Sequence, residues 1–338
     1  MTMVSRASDP VVALGYTTRE ADFLRLVARH GGYFVMRQYC AALDRGRGYT
    51  TAAFARTLLR RKDATMHTFC RTRQVWHLAP RGLYAAAGVG ADPHRRRQRP
   101  AAAITARLMA LDYVLDHPQF QFLGTDDERL TSLDRLGVDR LWLPQQRYLG
   151  HRATVPRLRY FVDAGPLAIA RATAGAETLV VAFIDDAPQT AVSFARFLAV
   201  YRGLFAQLSA WQVVFVTQDP ARVDPATRTF DHVLATPMAV PYSKGALETF
   251  EEYARLRHAF ERKQWSTLQK AGLDRLSVLR RMYVDAHWER LFGQWEQRGS
   301  AVLVAASAPP KHPSSTGLFE VRVVRHSYAA TQAVRGPR

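Results

Sequence analysis

Apolar positions recur at helical spacing through the first sixty residues and alternate at strand spacing just after them. "TTREADFLRLVARHGG" starts with the capping-box pair Thr17 and Glu20, carries Phe23, Leu24 and Val27 on one face, and closes on Gly31 and Gly32. That pattern predicts one well-bounded helix. A second, shorter helix is expected over 36–44, "MRQYCAALD". Beyond the Gly46/Gly48 turn, "TTAAFARTLLRRK" places Phe54 four residues before Leu58 and Ala55 four before Leu59, which predicts a third. In "ATMHTFCRTRQVWHLAP" β-favouring residues flank a polar tip, Cys70 to Gln74, and predict a hairpin with Phe69 and Trp76 beneath it. Three helices and a hairpin in that order are the layout of a winged helix-turn-helix domain, expected over 15–88.

"GVGADPHRRRQRPAAA" combines Gly, Pro and four arginines with no periodic apolar face, so 89–103 is expected to be a basic linker. From 104 to 330 the pattern alternates. A helix over "ITARLMALDYVLDH" precedes strand-like "RLRYFVDAG", "TLVVAFIDD" and "WQVVFVTQ", with an amphipathic helix, "TAVSFARFLAVYRGLFAQL", between the last two. Strand, helix, strand implies an α/β domain, so the expected fold class is α/β in the second domain and α+β overall. The segment 246–298 is helical in pattern and contains Trp265, Trp288 and Trp295; "AVLVAAS" and "GLFEVRVV" suggest two strands around a Pro/Ser-rich loop, followed by an unstructured basic tail.

Charge narrows the class of partner. Lys+Arg number 47 against 29 Asp+Glu, giving +18, and only Lys62, Lys244, Lys263, Lys270 and Lys311 are lysines. A field of that sign attracts polyanions and releases their counterions, and arginine's fork matches phosphate and guanine edges. Double-stranded DNA is therefore the expected partner. No apolar run approaches the length of a membrane span, the two cysteines cannot build a disulfide framework, and no leader pattern precedes them. A cytoplasmic, nucleoid-associated protein is expected.

On the third helix Thr50, Thr51, Arg56, Arg60 and Arg61 are the candidate DNA contacts, the threonines for phosphate at the helix start and the arginines for base edges. On the hairpin, Arg71 and Arg73 are the candidate backbone contacts. A second constellation is acidic: Asp163 closes one expected strand and Asp185 and Asp186 close another, the arrangement with which a nuclease holds Mg²⁺ at a scissile phosphate. His67, Cys70, His77 and Cys40 lack the paired spacing of a zinc site, and no phosphate-binding glycine loop is present, so no cofactor is expected outside the nuclease reading. The apolar stripe Val192, Phe194, Phe197, Leu198, Tyr201, Leu204 and Phe205 is expected to be core, or else a homodimer face of the α/β domain.

From "YTTREADFLRLVARHGG" through the hairpin to "FIDDAPQTAVSFARFLAVYRGLFAQLSAWQVVFVTQDPARVD" the chain resembles the replication-relaxation family of mobile-element proteins, in which a winged helix precedes a domain similar to the PD-(D/E)xK nuclease fold. Asp185 and Asp186 match that family's acidic pair. The resemblance implies a regulator of a mobile, conjugative element, or an accessory factor at a replication or transfer origin. An active PD-(D/E)xK site would carry a lysine two residues after the acid, and no lysine occurs between Lys62 and Lys244. A DNA-binding protein without enzymatic activity is the expectation, and a metal-dependent endonuclease using Asp163, Asp185 and Asp186 is its alternative.

Overall fold

A computed structural model describes residues 9–44, 46, 48–69, 73–90, 96–148, 157–161, 165–171, 175–186, 190–235, 242–308, 311–312, 317–324 and 328. A four-residue turn of helix, α1 (Pro10–Ala13), leads into α2 (Thr18–Arg29). The Thr17–Glu20 capping box closes at the start of α2, with the Thr17 amide donating to Glu20 at 2.8 Å, and Gly31 and Gly32 take φ +117° and +80° just past its end. Next come β1 (Tyr33–Phe34), α3 (Met36–Ala42) and α4 (Tyr49–Arg61), and then the hairpin of β2 (Ala64–Phe69) and β3 (Arg73–Leu78). β3 lies between β2 and β1, antiparallel to both. Phe23, Phe34, Tyr39, Phe54, Leu58 and Trp76 form the core beneath. A further short helix, α5 (Arg81–Ala86), adds Leu83 and Tyr84 to it.

Of the expected linker, 89–103, residues 91–95 lie outside the described residues and 101–103 form the first turn of a helix. α6 starts at Ala101 and runs to Asp116, and just before it Tyr33 Oη donates to the Arg97 carbonyl and accepts from the Arg99 amide at 3.0 Å. α6 carries Leu111 into the N-terminal core and Leu108, Met109 and Tyr113 onto the next sheet.

That sheet is built from β4 (Gln121–Phe122), β7 (Leu167–Arg171), β8 (Glu177–Ile184), β9 (Trp211–Thr217) and β10 (Leu318–Val323), in the order β10-β9-β8-β7-β4. β10, β9 and β8 are parallel; β7 pairs antiparallel with β8, and β4 antiparallel with β7. Alternation assigns the faces: Leu179, Val181, Val213 and Phe215 meet α8 (Thr190–Phe205), whereas Val180, Ala182, Val214 and Val216 meet α6. The stripe expected to be core or a dimer face is therefore core at Phe194, Phe197, Leu198, Tyr201, Leu204 and Phe205, and only Val192 turns to solvent. α7 (Asp126–Arg135) follows β4, and α9 (Val223–Ala235) follows β9. α10 (Lys244–Glu261), α11 (Trp265–Met282), α12 (Ala286–Arg298) and α13 (Ala301–Ser307) confirm the helical character of 246–298.

Three expectations are corrected. "AVLVAAS" is helix α13 rather than a strand: Val302 and Ala306, four apart, are buried, a helical period that no sheet edge competes for. The strand within "RLRYFVDAG", β6 (Arg157–Tyr160), pairs only with β5 (Gln145–Tyr148) and stays outside the main sheet; the neighbour of β8 is instead β7. The tail begins with an anchored residue, because Tyr328 is buried. No helix among the described residues is long and apolar enough to cross a membrane.

Candidate nucleic-acid interface

α4 divides its residues sharply. Phe54 and Leu58 are fully buried, and the helix opens at Gly48, where Thr51 Oγ1 accepts from the Gly48 amide at 3.4 Å. Thr51 also lies 3.7 Å from Cys40 Sγ on α3, so of the two threonines it is Thr50 that is exposed at the helix start. Arg56 and Arg60 are exposed. The Arg56 Nε donates to the Ala52 carbonyl at 3.3 Å, a bond within the helix surface that leaves the guanidinium 5.8 Å above the Tyr49 ring. Arg60 makes no ion pair or hydrogen bond among the described residues.

Arg61 is differently placed. Its Nε donates to Asp63 Oδ2 at 2.9 Å, the Tyr16 hydroxyl donates to the same oxygen at 2.6 Å, and its guanidinium lies 5.0 Å over the Tyr16 ring. The expected DNA contact thus closes the end of α4 onto the start of α2. Burial and the bond to Asp63 hold the Tyr16 phenol well above its usual pKa.

Two residues on this face escaped sequence reasoning. Tyr49 is 83% exposed; it lies five residues before Phe54, about 140° around the helix from the buried stripe, and that offset was its available signal. Lys62 follows α4 in the left-handed conformation, φ 58°, with its amide donating to the Leu59 carbonyl at 3.1 Å and that of Asp63 to Leu58 at 3.0 Å. Helices usually end this way on glycine; here the position presents a cation instead.

The hairpin register pairs Phe69 with Arg73 across the tip. Arg71 and Cys70 lie outside the described residues, as do the side chains of Phe69 and Arg73. Trp76 is buried as expected, stacked 6.1 Å from Phe34. His77 is buried too, stacked 4.2 Å from Tyr33, with its Nε2 lacking a partner among the described residues. Burial, then the charges of His67 and Arg107, lower its pKa to about 4.

At the acidic constellation, consecutive residues part company. Asp185 is buried and exposed Asp186 follows it, so the two carboxylates do not converge. Asp185 Oδ2 accepts from Thr217 Oγ1 at 2.7 Å, and Oδ1 accepts from Thr190 Oγ1 at 2.5 Å and from the Arg222 guanidinium at 2.8 Å. These bonds tie the ends of β8 and β9 to the start of α8, beside a cavity of about 200 Å³ lined by Thr190, Phe194, Phe215 and Arg222. Partial burial, then the neighbouring Asp185 charge, raise the Asp186 pKa. Asp163 lies outside the described residues. Both Asp185 oxygens are thus engaged by Thr217, Thr190 and Arg222, and among the described residues no three His, Cys, Asp or Glu side chains gather to hold an ion.

No protein-family model, curated protein or solved structure matches this chain.

Proposed function

We propose that the chain binds duplex DNA sequence-specifically, with α4 in the major groove and the β2–β3 hairpin along the neighbouring backbone. The observation that carries the reading is a helix presenting Thr50, Arg56, Arg60 and Lys62 to solvent in a segment, 33–62, whose only acid is Asp44. Its setting supports the same reading: helix, strand, helix, helix and hairpin, with β1 paired to β3, is the connectivity by which a winged helix exposes its third helix. Arg56, held over Tyr49, is aimed along the exposed face, and an arginine so placed can bridge guanine O6 and N7. The resemblance to the replication-relaxation family extends the proposal to a transcriptional regulator of a mobile, conjugative element, with the accessory-factor role at an origin as its variant.

Genomic fragments retained by the protein in Mg²⁺ at near-physiological salt, sequenced with their ends mapped, test this. Intact fragments piled at a few promoters are expected; peaks at an origin would select the accessory role, and new ends inside the peaks would replace it with a nuclease. On a recovered site, Arg60→Ala is expected to cost roughly 1–3 kcal/mol and to leave non-specific binding little changed. Wild-type affinity from both Arg56→Ala and Arg60→Ala would remove α4 from the interface.

A further inference from the structure

Within the helical segment 246–298, the turn joining α10 to α11 gathers features that the α4 reading does not use. α10 closes with the Lys263 amide donating to the Phe260 carbonyl at 3.0 Å and the Gln264 amide to Ala259 at 2.9 Å, and Lys263 takes φ 57°. A lysine thus occupies a left-handed position that glycine fills without strain. Arg262, Lys263 and Lys270 are all exposed and have no ion pair among the described residues. The adjoining acid, Glu261, faces away from the turn, bonded to Arg147 and, at 2.9 Å, to Arg257. Beside these cations stands an aromatic pair: Phe260 is 41% and Trp265 54% exposed, their rings edge to face at 5.7 Å. Trp288, in contrast, is buried in the bundle.

We propose that this turn is a second polynucleotide contact, which takes an unpaired DNA strand by stacking bases on Trp265 and pairing phosphates with Arg262 and Lys263. The chemistry is complementary on both counts. An indole steadied by Phe260 offers a face to any base, and uncompensated cations at one tip track a backbone. The contact is separate from α4 and does not rest on its role.

The test uses the full chain and a fluorescein-labelled single-stranded oligo-dT, read by anisotropy beside an unlabelled-duplex competition. Trp265→Ala is expected to weaken oligo-dT binding roughly 5- to 150-fold, with Trp265→Phe restoring most of it. The double variant Arg262→Ala/Lys263→Ala should lower the magnitude of the salt slope by about 1.4, and Arg60→Ala should leave oligo-dT binding unchanged. Because Trp265 touches only Phe260 among described rings, an unchanged melting curve checks that the variant is folded. Oligo-dT binding that is absent in the wild type, or equal in Trp265→Ala, overturns the proposal. So does a Trp265→Ala defect confined to vesicles of phosphatidylserine and phosphatidylcholine, which would make the tip a membrane contact.

Discussion

Arg60 and Arg61 are adjacent, equally charged and differently employed, and the difference is measurable. Removing Arg60 breaks no bond among the described residues, so Arg60→Ala should leave the melting temperature in place and act on DNA affinity alone. Removing Arg61 strips one of the two donors from Asp63, whose side chain is 12% exposed, so Arg61→Ala should lower stability by about 1 kcal/mol in urea titrations. Lys62 gives the reverse trade. Lys62→Gly relieves the left-handed backbone and should stabilise by about 1 kcal/mol, while the lost cation reduces the salt slope of duplex binding by about one unit. His77 sets a pH dependence. Its pKa in the fold, about 4, lies below the ordinary 6.5, so the unfolded chain binds the proton more tightly. The stability it contributes is complete above pH 6.5 and drains away as pH falls toward 4, by about 2 kcal/mol between pH 6.5 and 5. His77→Phe keeps a ring against Tyr33 and has no proton to take up; urea titrations at those two pH values should show the wild type losing that much more than the variant.

Among the elements, α3 is held by a buried polar cluster rather than by apolar packing alone. The Asp112 carboxylate on α6 accepts from Arg37 at 2.9 Å, from Gln38 at 2.9 Å and from the Tyr328 hydroxyl at 2.6 Å, and Gln38 also donates to the Leu108 carbonyl at 2.8 Å. Tyr328 is fixed in turn through its own amide, which donates to Gln218 at 2.6 Å. Asp112→Ala would take away the carboxylate that Arg37, Gln38 and Tyr328 share, leaving Gln38 its bond to the Leu108 carbonyl, and should cost about 3 kcal/mol, whereas Tyr328→Phe keeps that carboxylate on Arg37 and Gln38 and should cost about 1 kcal/mol. Their double variant should cost less than the sum, because each change alone already breaks the bond between Tyr328 and Asp112. None of this was visible in sequence, where Asp112 falls in an apolar helix and Tyr328 in a basic tail, and their partners are 75 and 110 residues away. What could be read were elements whose signal is local: the capped α2, the Phe54/Leu58 stripe of α4, the hairpin, and the valine-rich β8 and β9. β7, "LAIAR", offers two alanines and little β preference, and becomes a strand because β8 and β4 flank it. The acidic pair was similarly half-legible. Position at the end of β8 could be inferred, but not that Arg222, 37 residues on, returns to neutralise Asp185.

Across the whole molecule, the charge surplus rests on cations without acidic partners, while apolar burial continues from the N-terminal unit into the next sheet. Many described acids are matched to arginines, as at Asp63, Asp112, Asp139, Asp185, Glu261 and Glu289, so the surplus of +18 is carried by cations such as Arg56, Arg60, Arg262 and Lys263 that have no such match. The apolar surface crosses the expected domain boundary instead. Tyr33, Val35 and Val75 belong to the hairpin sheet and its approach, yet they are buried against Leu108, Met109, Ala168, Val180 and Val214. A fragment ending at residue 100 would lose Leu111 from its core and bare those three side chains, each worth roughly 1.5–3 kcal/mol of burial. A fragment ending at 117 retains α6, which covers the same surface from one side and keeps Asp112 within reach of Arg37 and Gln38. The shorter piece should therefore bind a hydrophobic dye and give poorly dispersed amide spectra, while the longer one unfolds cooperatively and binds duplex DNA with the Arg60 dependence of the full chain. If the fragment ending at 100 proved equally cooperative, α6 would be a connector and not a shared wall of both cores.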